Sequence, residues 1–306
     1  MKNNLLKGIK ILDLSHRLPG PLGGKVLADQ GAEVIKLEDA KFKDPFIYGL
    51  FAEMDESFPA MYEELNGGKD TVRLDFKDPE TPNKIAEILK DVDGIIMGLP
   101  PKVRKNLKIT DEDIKSLGRP VGVVELFASS KVTKSMHDIN AMALSGLLAL
   151  HVQGRDEDII DPPYLPISGI NFGVKAAFDL VCAINKARSE NTQVFAKSYL
   201  LDSTEEIFGP FWPQKTRGKM TKFLHNGRYP CYSIYKTKDG KYVALGAVEE
   251  KFWNRFCEIF DLDIPSTLRF NPDERLFKKI SENFLNLNQF EILKMSENED
   301  ICLSEV

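Results

Sequence analysis

With 306 residues, 42% of them hydrophobic, the chain can bury a substantial core as one large domain or two smaller ones. A formal net charge of −5 argues against a mainly electrostatic nucleic-acid binder. Cys182, Cys231, Cys257 and Cys302 stand far apart with no CxxC pair, and no signal peptide or membrane-length apolar run is visible, so the sequence reads as a soluble cytoplasmic protein with no membrane partner.

Ile9 to Leu14 reads as a buried strand. A turn over Leu18, Pro19, Gly20, Pro21, Leu22, Gly23 and Gly24 follows, then a helix through Val26, Leu27 and Ala28. Ala32 to Glu38 is a second strand, which completes a βαβ unit. The glycine spacing does not match GxGxxG, so this is a generic α/β start rather than a dinucleotide site. Residues 39–65 read as loop with scattered aromatics. Asn66 to Lys69 is a turn, Thr71 to Phe76 an alternating strand, and Asp78 to Leu89 a helix through Ile85, Ile88 and Leu89. Gly94 to Met97 is another buried strand, stopped by Pro100-Pro101. Lys102, Arg104, Lys105 and Lys108 then form either a solvated helix face or a phosphate-recognising patch.

After a strand at Val121 to Leu126, the stretch Lys134 to Leu150 opens on His137-Asp138 and continues as a helix through Ile139, Met142, Ala143, Leu147 and Leu150. Asp138 suits the N-cap. His137 would then lie just outside the helix start, beside the positive end of its dipole, a setting for a proton acceptor. On local pattern alone, a histidine packed beside a capped core helix is the simpler reading. A long helix runs from near Asn171 to about Ala187, and Thr192 to Ala196 resembles a strand. Alternating strands and helices to this point predict a large domain with a largely parallel α/β sheet over residues 1–203.

The texture then changes. Phe208 to Pro213 suggests a linker. Tyr232 to Tyr235, the turn Lys238 to Lys241, and Tyr242 to Leu245 predict a β-hairpin. Glu249-Glu250 opens a helix with Phe252, Trp253, Phe256 and Ile259, and more helix follows from Glu274 to Leu285. Residues 204–306 thus form the linker and a smaller α+β domain, making the fold class α/β overall.

The blocks LKGIKILDLS, LADQGAEVIKLE, NGGKDTVRLDFKD, MHDINAMALSGLLAL, YSIYKTKDGKYVALGAVEEKFW and DICLSEV, in this order, resemble the class III CoA-transferase (CaiB/BaiF) family. His137-Asp138-Ile139-Asn140 is similar to the α-methylacyl-CoA racemase branch, whereas the transferases more often have Tyr-Asp there. The resemblance implies a Rossmann-like large domain, a small domain and two interlocked subunits, with an active site between the large domain of one and the small domain of the other. It also implies a coenzyme A thioester as substrate, with no separate cofactor and no metal. His137 would serve one face of the α-carbon, and Glu249 in Gly246-Ala247-Val248-Glu249 would assist. The family's second base is an Asp in a pattern like Gly-Asp-Phe-Gly. Here Gly169-Ile170-Asn171-Phe172-Gly173 puts Asn171 in its place, an amide that can neither accept a proton nor form an acyl anhydride. Asn171 would keep only a helix N-cap role, and Asp161 upstream is a weaker substitute.

Further implied contacts with CoA are Val72, Arg73, Leu74 and Asp75 at the adenine and ribose, Gly98 and Leu99 at the middle, and Met136 onward at the thioester. Lys69, Arg104 and Lys105 would meet the phosphates as surface charges. The family's basic residue after the second strand's acid is replaced by Asp39, its Arg-Pro-Gly by Pro100-Pro101-Lys102, and its Gly-Lys-Gly by Glu190-Asn191-Thr192. The sequence ends at Val306, where relatives continue back to the large domain. Racemase-like abstraction of the α-proton of a 2-methylacyl-CoA is the leading expectation. A CoA transferase using Asp138 or Glu249, and a non-catalytic acyl-CoA-binding subunit, are the alternatives. The chain is expected to pair with itself or with an active homologue.

Overall fold

The apolar runs read as strands are buried on both faces, the pattern of a parallel sheet covered by helices on each side. The computed structural model describes residues 4–153, 155–211 and 222–306, which divide into two units, Met1–Gln214 and Lys215–Val306. In chain order the first unit comprises β1 (Lys10–Leu14), α1 (Pro19–Asp29), β2 (Glu33–Asp39), α2 (Leu50–Met54), α3 (Ser57–Asn66), β3 (Asp70–Leu74), α4 (Thr81–Leu89) and β4 (Gly94–Met97). It continues with α5 (Pro101–Asn106), α6 (Asp111–Lys115), β5 (Val121–Phe127), α7 (Asp138–Ser145), α8 (Leu147–Val152), α9 (Ile167–Glu190), β6 (Gln193–Tyr199) and α10 (Leu200–Phe208). The sheet order is β3-β2-β1-β4-β5-β6 and every pairing is parallel. The order reverses between β1 and β4, and such a reversal opens a crevice at the carboxyl ends of the strands.

Side chains alternate between two cores. Ile11, Val34, Ile96 and Val124 face α1 and α9, where they meet Leu27, Ala176, Leu180 and Ile184. Leu12, Leu37, Ile95 and Val123 face the other way, onto Ile85, Leu89, Leu107 and Ile114. The residues from Pro19 to Gly24 are not the expected turn; they are the first turns of α1, entered through proline at its start. Their glycines serve helix packing. A Cβ on Gly23 would lie 3.0 Å from the Gly173 carbonyl, and one on Gly173 would lie 2.7 Å from the Pro19 carbonyl, so α1 and α9 approach backbone to backbone.

The stretch 39–65 read as loop contains α2 and α3. Its aromatics are an ordered cluster in which Phe46, Tyr62 and Leu65 pack with Leu18, Leu22 and Phe58 over the β1–α1 corner. The helix expected from Asp138 to Leu150 is broken at Gly146, which takes φ 91 between α7 and α8. Contrary to the sequence expectation, α9 is long and apolar enough by length and composition to cross a membrane. Its buried Ala176, Leu180 and Ile184 pack on the sheet as a core helix. The boundary drawn at 203/204 is also displaced. Residues 204–208 complete α10, whose Leu200, Leu201 and Thr204 are buried, and the division falls after Gln214. Trp212 and Pro213 of the expected linker lie outside the described residues.

The second unit comprises β7 (Tyr232–Lys236), β8 (Tyr242–Gly246), α11 (Glu250–Ile259), α12 (Glu274–Phe284), α13 (Gln289–Met295) and β9 (Leu303–Glu305). The hairpin is as read, with Gly240 at φ 79 in its turn, and β9 adds a third antiparallel strand. Trp253, Phe256, Phe260, Ile280 and Phe284 pack against Val243 and Leu245 as one core. The Trp253 indole donates to the Ile264 carbonyl at 3.2 Å.

Candidate active site

Where the sheet order reverses, the first unit holds a cavity of about 420 Å³. Its walls come from the turn after β1 (Ser15 to Gly20), Gly98 after β4, Leu126 to Ala128 at the end of β5, Met136 to Asp138, and Gly169 with Phe172 at the start of α9. Four of the sequence candidates, Gly98, Met136, His137 and Asp138, therefore meet here.

His137, not Asp138, is the residue that caps α7. Its backbone is extended (φ −106, ψ 174) and its N–H donates to Asn140 Oδ1 at 3.0 Å. Asp138 is the first helical residue, and its carboxylate turns away from its own helix. Oδ1 accepts the backbone N–H of Gly169 at 2.7 Å, in the first turn of α9. This is a favourable seat for an anion, since the first amides of a helix lack intrahelical acceptors and carry the positive end of its dipole. Burial raises the Asp138 carboxyl above the ordinary carboxylate value, and the amides of Gly169 and Ser168 restrain that rise. His137 is exposed and Asp138 is half-buried.

Asn171 is neither an N-cap nor a cavity residue. The helix begins earlier, at Ile167 after Pro166, because proline favours a helix start. The Asn171 amide donates to the Ser203 carbonyl at 3.0 Å, which ties α9 to α10. The residues of this segment that line the cavity are Gly169 and Phe172. Asp161 is exposed, and its carbonyl accepts from His151 Nε2 at 2.8 Å. Glu249 belongs to the second unit, where it is exposed and caps the start of α11 in extended conformation.

The expected phosphate contacts change most. Lys69 is no surface charge. Its side chain is fully buried and its ammonium donates to Asp13 Oδ2 at 3.0 Å, the Pro21 carbonyl at 2.8 Å and Asn66 Oδ1 at 2.9 Å. Burial pulls Lys69 below the ordinary lysine value against the opposing pull of Asp13. Burial alone would raise Asp13, but Lys36, Lys69 and the Ser15 hydroxyl override it and hold the carboxyl below its usual range. Lys36, also fully buried, donates to the Ser15 carbonyl, and the Ser15 amide donates to Asp13 Oδ1 at 3.1 Å. Arg104 is engaged by Glu125 and Asp111. Val72 and Leu74 pack into the core, Arg73 binds Glu38 and the Tyr62 hydroxyl, and Asp75 pairs with Lys41. None of these four lines the cavity. Lys105 alone of the three cations is exposed.

A second cavity of about 280 Å³ adjoins the first and shares Ser15 and His16 with it. Leu99, Phe76, Lys43 and the acids Glu38, Asp39 and Asp44 line it, with Glu38 and Asp44 buried. His16 stands at the junction. The protein around it holds the imidazole below its ordinary value; Asp44 opposes this, while the charges of Lys36 and Arg17 reinforce it. Ser15, His16 and Arg17 were absent from the sequence candidates. Their position directly after the first strand of a βαβ unit is the signal that marks them.

CoA-transferase family III, as a family model, matches residues 6–306. The chain is similar to a CaiB/baiF CoA-transferase family protein of Caenorhabditis elegans, with 25% identity over 98% of this chain and 85% of that one. It is 24% identical to the alpha-methylacyl-CoA racemase of Mus musculus, over 99% of this chain and 77% of the racemase. It is 25% identical to the succinyl-CoA:glutarate CoA-transferase of Homo sapiens, over 92% of this chain and 67% of the transferase. A solved CAIB/BAIF family protein from Brucella suis superposes with a TM-score of 0.75 at 17% identity, covering 97% of this chain and 82% of that one. At that identity the likeness establishes the fold.

Proposed function

Because the chain belongs to CoA-transferase family III, a family of enzymes, we propose that the cavity bounded by His137 and Asp138 takes the thioester end of an acyl-CoA and that these two side chains move the proton on the adjacent carbon. The observation that carries this reading is the convergence of an imidazole and a carboxylate on one largely apolar cavity, with the carboxylate seated on the first turn of α9. The α-proton of a thioester is acidic because the electron pair of the C–H bond can pass into the carbonyl as an enolate. His137 removes that proton. The amides of Asp138 and Ile139, the first two of α7, have no intrahelical acceptor and are available to the enolate oxygen. Asp138, when it carries a proton, returns one to the carbon. A 2-methylacyl-CoA is the substrate class on this reading.

The CoA body then follows the crevice past Ser15 and His16 toward the second cavity. The same reading carries pairing of subunits, supported by the apolar Leu144, Val174, Phe178 and Ile207 that the first unit leaves exposed.

A second reading is favoured by the same carboxylate. Among the described residues the Asp138 carboxylate is held by backbone amides, and on this reading it attacks a thioester carbonyl, forming an acyl anhydride and releasing CoA as its thiolate. The two readings separate in D₂O. Proton transfer predicts deuterium at the α-carbon of (R)- and (S)-2-methylacyl-CoA, lost in His137→Gln. Transfer chemistry predicts exchange of free labelled CoA into the thioester with no deuterium at carbon. Neither signal from the folded protein would end both.

A further inference from the structure

Arg17 follows Ser15 and His16 in the turn from β1 to α1, and it lines the cavity that holds His137 and Asp138. Its backbone stands at φ 66, in the left-handed region that residues with a Cβ enter at a cost. A specific contact keeps it there. The Arg17 amide donates to Oδ2 of Asp44 at 2.7 Å, and Asp44 is 2% exposed with its other oxygen accepting the Phe46 amide at 3.0 Å. The backbone is therefore pinned by a buried carboxylate, whereas the guanidinium enters no hydrogen bond or ion pair among the described residues. No ion pair joins it to Asp138, the acid lining the same cavity. The remaining walls are mainly apolar, with Leu18, Phe46, Leu126, Phe127 and Phe172. Strain held at a cavity wall by a dedicated partner is a mark of a working position. A guanidinium is the side chain best matched to a carboxylate, through two parallel N–H···O bonds.

We infer that Arg17 recognises a carboxylate on the ligand, so that the substrate pair of this site includes a dicarboxylic acid or its half-thioester. The inference rests on the acyl-CoA reading of the cavity. The carboxylate has two possible sources: the far end of the acyl chain, or a free acid that receives CoA. In either case it enters a mainly apolar cavity in which the exposed Arg17 is the one arginine or lysine among the described lining residues.

The test uses the full chain and pairs of probes with the same carbon number. Dissociation constants are measured for succinyl-CoA and butanoyl-CoA, and, with CoA present, for succinate and butyrate. The wild type is expected to favour the dicarboxylate by about tenfold or more in at least one pair, the effect of one charge-assisted bidentate contact. A preference among thioesters assigns the carboxylate to the acyl chain, and a preference among free acids assigns it to the acceptor. Arg17→Met should bring the ratio close to one, and Arg17→Lys should retain part of it. Both variants keep a Cβ on the same backbone, and thermal unfolding checks that they fold. No preference in either pair, or a preference that survives Arg17→Met, overturns the inference. Failure of both thioesters to bind the wild type overturns the acyl-CoA reading as well, which the free-acid pair alone does not.

Discussion

Oδ1 of Asp138 lies 2.7 Å from the backbone nitrogen of Gly169, so the acid that opens α7 is held by the first turn of α9. Gly169 is thus the position from which a second carboxylate would reach the cavity. A Cβ there would sit 3.6 Å from that oxygen and 2.9 Å from a methyl of Leu18, a flexible neighbour that can give way. Gly169→Asp should set two carboxyls side by side and raise the apparent pKa of the pair. The carboxyl limb of the pH–rate profile should move up by about one unit or more. Asn171→Asp should do nothing for activity. It aims a carboxylate at the Ser203 carbonyl and should lower stability by about 1–3 kcal/mol in denaturant titrations.

Asp138 itself should be a site where function opposes stability. Its carboxyl is raised in the folded protein, so the fold favours its protonated form. That contribution is complete below the ordinary carboxylate value and is lost as pH rises through the raised one. At neutral pH the charge is half-buried at a net cost. Asp138→Asn should therefore melt at a higher temperature than wild type at neutral pH, with the gap closing toward about pH 3.

The buried group of Asp13, Lys36 and Lys69 holds the turn that both cavities share, because Asp13 and Lys36 bind the amide and carbonyl of Ser15. Asp13→Asn leaves two buried ammonium groups without their carboxylate and should cost about 3–5 kcal/mol in denaturant unfolding. Asp13 is depressed in the fold, so its contribution is present above the ordinary carboxylate value and falls away as pH drops through the folded one.

Asp39 lines the second cavity, where the family resemblance implies a basic residue. Asp39→Arg should tighten CoA by roughly tenfold at low salt, with a smaller gain at high salt and for dephospho-CoA. Arg104→Gln should leave CoA affinity within about twofold and lower stability instead, since Glu125 and Asp111 already occupy the guanidinium. Competition binding and thermal unfolding separate the two outcomes.

The βαβ order, the hairpin and the His137-Asp138 helix start were legible because their signals are local: apolar runs of strand length, a glycine turn, a short run of helical spacing. The burial of Lys69 was not. Nothing near it in sequence announces Asp13, which reaches it from 56 residues away. Arg104 was misread because its partners Asp111 and Glu125 lie on separate elements, α6 and β5, which only the fold brings onto it. Asn171 drew attention as an amide in place of an acid, but which residue of Gly169 to Gly173 faces the cavity depends on where α9 begins, and Pro166 sets that. The left-handed turn at Arg17 has no glycine to betray it; the buried Asp44 supplies what a glycine would have supplied.

The most direct measurement is α-carbon deuterium uptake into (R)- and (S)-2-methylacyl-CoA, compared between wild type and Asp138→Asn. If Asp138 is the second proton-transfer group, wild type exchanges both enantiomers and the variant loses about 10²–10⁴-fold on one of them. Equal rates in variant and wild type, or no exchange by wild type, would contradict the role given to Asp138.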